Sequence, residues 1–457
     1  MIVMKFGGTS VQDAEAIDRV AAIVRKRLPE KPVVVVSALA KITDQLLAMA
    51  SAAGAGKRDE SLEISQRARQ RHHGTASELL GESRYSQIRP ELDTHFDALD
   101  ELLRGIVAVG ELTPRTIDNI AGFGERISSK IAAAAFSERG IPSAHVDSRK
   151  CIVTDAGYSK AVPLFEETNS RLAETVQPLL NRGCVPVMGG FIGATREGIP
   201  TTIGRGGSDF TGAIVGAGLG AQRIEIWTDV DGMMTTDPNL CPQARRIKTI
   251  SFEEAAELAY FGAKVLHPAT LLPAIQKNIP VLVLNSRNPG CEGTKITASA
   301  PRSKNIFKAI AAKKRITVVD VVATRMLMAH GFLKSIFEVF AHHRCPVDMV
   351  STSEVSVSVT VDSNESIAAI AADLGKLADV KYEGRKAIVC LVGENIRNTP
   401  GIAAKVFGAI PDVTIQMISQ GASEINISFV IDEADVPDVV ARLHNAFFSQ
   451  VDAEVFA

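Results

Sequence analysis

The chain has 457 residues, too many for one ordinary hydrophobic core; roughly 150 residues per domain suggests about three domains. Hydrophobic content of 46% with 22% charge describes a water-soluble globular protein, and 50 Lys plus Arg against 52 Asp plus Glu excludes a net-charge argument for a nucleic acid or membrane partner. Small molecules and further copies of the chain are the expected partners. Cys151, Cys184, Cys241, Cys291, Cys345 and Cys390 stand singly with no C-x-x-C pair, so neither a disulfide framework nor a zinc site is indicated, and a reducing cytoplasm is expected. Met1-Ile-Val-Met-Lys-Phe enters an apolar strand at once, without the regions of a secretory leader, and no run reaches the 18 or so apolar residues of a membrane span.

A short buried strand is predicted from Ile2 to Phe6. A turn at Gly7-Gly8-Thr9-Ser10 follows, then a helix whose inner face is marked at 3.6 spacing by Ile17, Val20, Ala21 and Val24. Lys5 stands at the strand's carboxyl end, where its ammonium can reach over the glycine turn to a phosphate; the alternative is a surface lysine beside a turn. The pattern is not a Walker loop, which needs G-x-x-x-x-G-K-[ST]. Four valines in Pro32 to Val36 predict a strand buried on both faces of a parallel sheet, ending in the polar loop Ser37 to Thr43 where such sheets collect ligands. From about Thr43 to Arg104 the composition turns to Ala, Leu, Glu, Arg and Gln, which predicts a helical insertion. Adjacent His72 and His73 cannot share one helix face as an i,i+4 ligand pair would, and both are expected to be solvated.

Gly122-Phe123-Gly124-Glu125-Arg126 opens a further helix with Ile127, Ile131 and Ala134 inward. Glu125 is either a dipole partner at a helix start or a ligand group that the flanking glycines leave open to close approach. Strands are predicted at Ile141 to Val146 and Cys184 to Met188, the second running into Gly189-Gly190-Phe191-Ile192-Gly193. Gly204-Arg205-Gly206-Gly207-Ser208-Asp209 then gathers three glycines, a cation, a hydroxyl and a carboxylate ahead of a small-residue helix expected from about Phe210 to Leu219. Glycines let backbone N–H groups turn inward on an anion, and the helix dipole points the same way. Arg205 offers a planar fork to a carboxylate or phosphate, and Asp209 suits an ammonium group or a metal ion. A tight strand-to-helix turn is the plain alternative.

Ile224 to Trp227 ends in Thr228-Asp229-Val230-Asp231-Gly232, an acid-rich turn that at a strand's carboxyl end suits a nucleotide base, ribose or Mg2+-bearing phosphates. Phe261-Gly262-Ala263-Lys264-Val265 supplies a second candidate phosphate lysine, and Pro280 to Leu284 is the last obvious strand of this region. Strands alternating with helices over about 290 residues predict a parallel three-layer α/β domain. Past residue 300 an internal repeat begins. Gly331-Phe332-Leu333-Lys334-Ser335-Ile336-Phe337 is echoed by Gly401-Ile402-Ala403-Ala404-Lys405-Val406-Phe407, and Glu354-Val355-Ser356-Val357 by Glu424-Ile425-Asn426-Ile427. Each unit reads as a small α+β module with a half-buried antiparallel sheet, and two such modules after a catalytic domain suggest a sensor.

Six motifs occur here in one order: Lys5-Phe-Gly-Gly-Thr-Ser, Phe123-Gly-Glu, Gly204-Arg-Gly-Gly-Ser-Asp, Trp227-Thr-Asp-Val-Asp-Gly, Phe261-Gly-Ala-Lys and Ser353-Glu-Val-Ser-Val. With them the chain resembles the bacterial monofunctional aspartokinases of the lysine-sensitive type over nearly all its length. The resemblance implies an amino-acid-kinase catalytic domain over 1–297, a three-layer α/β sandwich with a mostly parallel central sheet and the helical insertion at about 44–112. Two α+β ferredoxin-like ACT modules would follow, one over 313–384 and one from 304–312 plus 385–457. The implied reaction moves the γ-phosphoryl of ATP to the β-carboxylate of L-aspartate, giving 4-phospho-L-aspartate and committing carbon to lysine, threonine and methionine.

Carried over motif by motif, Lys5, Asp209 and Lys264 would be catalytic, with Lys5 bridging donor and acceptor. Ser37, Thr43, Glu125, Phe191, Arg205 and Ser208 would hold aspartate, while Lys5, Gly7, Gly8, Thr228, Asp229, Met234, Lys264 and Val265 would contact the nucleotide. Mg2+ would be held mainly by the phosphates with no protein metal site, and the aspartate nucleophile, already ionised at neutral pH, needs no base. An amino-acid effector, L-lysine by the resemblance, would sit among Met326, Phe332, Leu333, Val347, Asp348, Ser353 and Glu354, with the two acids toward its cation. Relatives commonly carry Tyr in place of Met234 and Arg in place of Asn239, and some lysine-sensitive ones carry Ser in place of Ala329 and Pro346. ACT modules of the family pair across subunits, so a homodimer or homotetramer is implied, and no fused homoserine dehydrogenase is expected after Phe456. Two readings compete. A kinase of the same fold acting on a glutamate derivative is opposed by the helical insertion and tandem modules. A catalytically silent amino-acid sensor is opposed by intact Lys5, Arg205, Asp209 and Lys264, though Met234 and Asn239 lean toward it.

Overall fold

Ile2–Phe6 (β1) and Pro32–Val36 (β2) are apolar at almost every position, and each is buried from end to end. In the computed structural model, which describes residues 1–262, 268–322, 330–363 and 366–457, these strands pair in parallel at the centre of a sheet. The sheet is completed by Ser143–Val146 (β3), Val185–Gly189 (β4), Ile224–Thr228 (β7), Thr249–Ser251 (β8), Val281–Asn285 (β9) and Thr294–Thr297 (β10). Ile192–Ala194 (β5) and Pro200–Thr202 (β6) form a separate antiparallel hairpin. The eight-strand order among the described residues is β3-β4-β2-β1-β7-β9-β10-β8, parallel at every neighbour except β9 with β10. The last strand, β10, lies beyond the one taken from the sequence as final, because four residues with exposed Lys295 give little apolar signal.

Alternation explains the layers. Ile2, Met4, Phe6, Val34 and Val36 join one core with Ala14–Arg27 (α1) and Phe123–Glu138 (α6). The same core reaches the insertion, which is three helices, Ile42–Gly54 (α2), Arg58–Leu79 (α3) and Glu82–Val109 (α4), followed by Pro114–Ala121 (α5). Phe165–Thr175 (α7), Gln177–Asn181 (α8) and Gly207–Leu219 (α9) follow, and α9 packs on the opposite side of β1. The insertion overturns the solvated reading of His72. Ala68, His72 and Ala76 share one i,i+4 stripe, and α3 turns that stripe inward against α2 and α4. His72 Nδ1 lies 2.7 Å from the Ala68 carbonyl and its ring packs on Phe96, so burial holds its pKa down at about 4. His73 is half-buried, between Tyr85 and Asp93.

A second unit comprises Met233–Lys248, residues 253–262 and the described residues from 301 on, so two segments lying before residue 297 belong with the C-terminal part. The first unit holds the remainder, including Leu272–Gln276 (α11). In the second unit Phe252–Tyr260 (α10) enters against a six-stranded antiparallel sheet. Its strands are Phe307–Val322 (β11), Val347–Thr352 (β12), Ser356–Asp362 (β13), Asp379–Gly393 (β14), Met417–Gln420 (β15) and Asn426–Asp432 (β16), ordered β12-β13-β11-β14-β16-β15. Phe332–His342 (α12), Ile367–Leu374 (α13), Ile402–Gly408 (α14) and Val436–Phe448 (α15) complete the two repeats. The repeats share a sheet rather than each having its own. β11 and β14 run through both and bend where Arg315 (φ 59°) and Arg385 (φ 57°) take left-handed backbone, with the register shifting between Lys313 and Ile316. Among the described residues no helix is long and apolar enough to cross a membrane.

Candidate active site

The carboxyl ends of four neighbouring strands are tied together by backbone bonds. Gly7 N–H donates to the Trp227 carbonyl (3.0 Å), Ser37 N–H to that of Phe6 (3.1 Å), and Gly190 N–H to that of Val36 (2.8 Å). The loops after β1, β2, β4 and β7 therefore open onto one rim, the crevice position at which parallel α/β sheets bind ligands. α9 rises beside this rim. A methyl group added at Gly212 would lie 3.3 Å from Lys5 Cβ, so the bare helix face lets β1 close in. That approach brings Lys5 Nζ 2.7 Å from Asp209 Oδ1, both side chains mostly buried. The geometry is that of an ion pair rather than an aligned hydrogen bond, since Oδ1 has no hydrogen-bond partner.

Glu125 lies in the first turn of α6 and is buried. Gly124 and Gly189 explain how. A methyl at Gly124 would meet Ala38 Cβ at 2.6 Å, and one at Gly189 would meet the Glu125 carbonyl oxygen at 2.8 Å. Gly122 likewise packs on Ile192, where an added methyl would lie 3.0 Å from Cγ2, so these glycines let protein close in around the acid. Burial pushes the Glu125 carboxyl up to about 7, opposed by a backbone hydrogen bond from Ala38 and the Lys5 ammonium. Its Oε2 has no partner, which leaves an unsatisfied acceptor inside the site. Ser128 Oγ fixes the adjacent loop by donating to the Ser37 carbonyl at 2.7 Å.

The Arg205 loop is shaped by Gly204 (φ 81°) and Gly206 (φ 72°), left-handed positions that glycine takes with little strain and a side chain does not, and it leaves Arg205 exposed. The helix begins at Gly207, three residues before its expected start, because Gly207 can press on Phe191: a methyl there would lie 2.6 Å from the ring. Phe191 itself is left-handed (φ 66°) and donates its N–H to Thr211 Oγ1 at 2.9 Å. Ser208 faces Gly190, whose added methyl would lie 2.7 Å from Ser208 Cβ.

Sequence reasoning missed Asp118 of α5. Its buried carboxylate accepts from Ser159 N–H (3.0 and 2.9 Å), Thr202 N–H (2.9 Å) and Thr202 Oγ1 (2.7 Å), and so anchors the strand that feeds the Arg205 loop.

At the end of β7, Thr228 is half-buried and Asp229 exposed beside the rim, with Thr228 Oγ1 3.2 Å from Asp229 Oδ1. Asp231 is engaged by the Asn285 and Asn288 side-chain amides. Thr43 is half-buried in the first turn of α2. Lys264, Val265 and Met326 lie outside the described residues. Met234 falls in the second unit, where it bridges to Arg246. Of the remaining residues read as an effector site, Phe332 begins α12, Leu333 beside it is exposed, and Val347 and Asp348 begin β12. Ser353 and Glu354 are exposed in the turn before β13, where Ser353 Oγ accepts from Ser356 N–H at 3.1 Å. Asp348 is already engaged within the chain: the Tyr260 hydroxyl and the Lys313 ammonium each donate to one of its oxygens. Among the described residues no group of three or more His, Cys, Asp or Glu is placed to hold a metal ion.

A buried acid, a lysine and glycine-loop amides at the carboxyl rim of a parallel sheet suit transfer of a charged group by positioning and charge neutralisation. Residues 1–285 match the model of the amino acid kinase family, and 319–372 with 389–447 match that of the ACT domain. The chain is 36% identical to lysine-sensitive aspartokinase 3 of Escherichia coli over 98% of this chain and 99% of that one, and 38% identical to chloroplastic aspartokinase 2 of Arabidopsis thaliana over 98% and 84%. It superposes on E. coli aspartokinase III in complex with aspartate and ADP (R-state) with a TM-score of 0.86 at 35% identity, covering 98% of this chain and all of that one. The lysine and aspartate complex of that enzyme (T-state) gives 0.83 at 35% identity, with 98% and 99% covered. In class, the protein is an amino acid kinase with C-terminal ACT domains. Within that class the chain belongs to the aspartokinase family, ATP-dependent kinases of aspartate.

Proposed function

We propose that the rim around Lys5 converts L-aspartate and Mg-ATP into 4-phospho-L-aspartate with the residues named from the sequence in those roles. The observation that carries this reading is the Lys5–Asp209 pair beside the unsatisfied Glu125 carboxylate. Arg205 takes a carboxylate of aspartate, Glu125 its ammonium, and Ser37, Thr43, Phe191 and Ser208 complete the pocket. Gly7, Gly8, Thr228 and Asp229 border the nucleotide, joined by Met234, Lys264 and Val265. Lys5 leaves Asp209 to neutralise charge spreading over the transferred phosphoryl group. Mg2+, held mainly by the phosphates, would supply further charge neutralisation; the absence of any cluster of three or more His, Cys, Asp or Glu among the described residues supports that assignment.

Domain roles follow the same reading: 1–297 catalytic, 313–384 and 304–312 plus 385–457 regulatory. L-Lysine is the effector, meeting Met326, Phe332, Leu333, Val347, Asp348, Ser353 and Glu354. The working form is a homodimer or homotetramer joined through the ACT modules. Six free cysteines support a reducing, cytoplasmic setting.

ADP release with Mg-ATP and L-aspartate, run alone, with lysine and with threonine, tests the reading, with Lys5→Ala alongside. Aspartate-dependent turnover suppressed by lysine and abolished in Lys5→Ala is expected. Unchanged turnover in Lys5→Ala would sink the mechanism, and tight amino-acid binding without turnover would favour the silent sensor.

A further inference from the structure

Helix α10 carries Glu254, Glu257 and Tyr260 three residues apart, on one face, and each grips a different strand of the six-stranded sheet. Lys308 of β11 lies 2.9 Å and 3.0 Å from the two carboxylate oxygens of Glu254 in a buried pair. Asn426 Nδ2 of β16 donates to Glu257 Oε2 at 2.7 Å. The Tyr260 hydroxyl donates to Asp348 Oδ1 of β12 at 2.7 Å. Lys313 Nζ of β11 donates to the other oxygen, Oδ2, also at 2.7 Å, and sits 3.0 Å from Asp362 Oδ1 and 5.4 Å from the Tyr260 ring centroid. Burial and the bond to Asp348 raise the Tyr260 phenol above its ordinary value, so the hydroxyl stays protonated and remains the donor. Just past the helix, a methyl at Gly262 would lie 2.6 Å from the Ala312 carbonyl oxygen, so the chain rests directly on β11.

We propose that Tyr260 and Lys313 are the coupling residues of the regulatory site: they hold Asp348 until an effector ammonium takes it, and α10 carries their release to Phe261 and Gly262 at its end. The inference rests on the reading above that Asp348 belongs to the effector pocket. Both oxygens of Asp348 face internal donors, one of them an ammonium, so an effector cation competes with Lys313 for the carboxylate. Lys313 is in effect a tethered occupant of the cation position. Whatever loosens Tyr260 acts four residues before Lys264 in the chain, with Glu254 and Glu257 keeping the rest of α10 on the sheet.

The test compares the full-length enzyme with Tyr260→Phe and Lys313→Met, measuring lysine binding by calorimetry and inhibition in the ADP assay. Tyr260 is partly exposed, so the loss of one hydroxyl is tolerated by the fold. Each variant is expected to bind lysine more tightly, by about tenfold for Lys313→Met, which removes a charge-assisted competitor. Tyr260→Phe is expected to keep its uninhibited rate within about twofold. Its residual activity at saturating lysine rises, so binding and inhibition separate. Variants that bind and respond like a lysine-inhibited wild type overturn the inference alone, as does weakened binding in both. A wild type that turns over but neither binds nor answers to lysine removes the effector reading, and the inference falls with it.

Discussion

Glu125 sets two opposite pH dependences. Its carboxyl sits at about 7 when folded against an ordinary 4.5, because burial costs more than Ala38 and Lys5 return. The folded protein therefore holds this proton more tightly than the unfolded chain does. Glu125 contributes its full stability below about pH 4.5 and loses it as pH rises through 7. Glu125→Gln is expected to gain in thermal midpoint relative to wild type between pH 5 and pH 8. Aspartate binding runs the other way, since only the ionised acid pairs with the substrate ammonium: KM for aspartate falls as pH rises through about 7 in the wild type and stays flat in Glu125→Gln. A parallel KM profile in both proteins would remove Glu125 from the substrate site. At this scale the chain was legible where chemistry clusters along it. Lys5, Glu125 and Asp209 sit in glycine-rich motifs, whereas Asp118 sits in an ordinary helix and is recognised only by the two segments it pins.

Elements come close here because glycine removes the side chain between them. α6 reaches β2's loop through Gly124, and α9 reaches β1 through Gly212. Gly124→Ala gains roughly 1 kcal/mol of helix propensity, but its methyl falls 2.6 Å from Ala38 Cβ, and overpacking of that kind costs about 1–3 kcal/mol. The net expectation is a lower thermal midpoint together with a raised KM for aspartate, because the helix that must shift carries Glu125. A normal KM would mean that Ala38 yields instead. Composition is the same whether a glycine beside Glu125 makes room for a ligand or for a neighbouring segment, and only the facing atom distinguishes the two. The start of α9 at Gly207 was obscured for a related reason, since a glycine-rich stretch reads as turn until Phe191 is seen against it.

The whole molecule divides in a way the order of its residues does not suggest. Segments 233–248 and 253–262 leave the first unit and join the second. Thr235 shows how: its carbonyl accepts from Ile310 N–H at 2.7 Å and its Oγ1 lies 2.9 Å from His444 Nε2, while Ile247 bridges to Phe456. The buried Lys308–Glu254 pair is a further tie, and Lys308→Met is expected to destabilise the protein by about 3–5 kcal/mol by stripping the acid of its ammonium. The double variant Lys308→Met with Glu254→Leu should recover most of that loss in thermal unfolding; an equally low midpoint would show that the pair's packing, not its charge, holds α10.

By itself the sequence determined the parallel α/β sheet, the helical insertion, the repeat and the motif residues, because alternation, helical periodicity and glycine clusters are local signals. Only tertiary structure decided that β11 and β14 run unbroken through both repeats, that His72 is buried, and that Asp348 is held by Tyr260 and Lys313. Each of these joins residues distant in the chain, and burial or a filled carboxylate is a property of the neighbour across space.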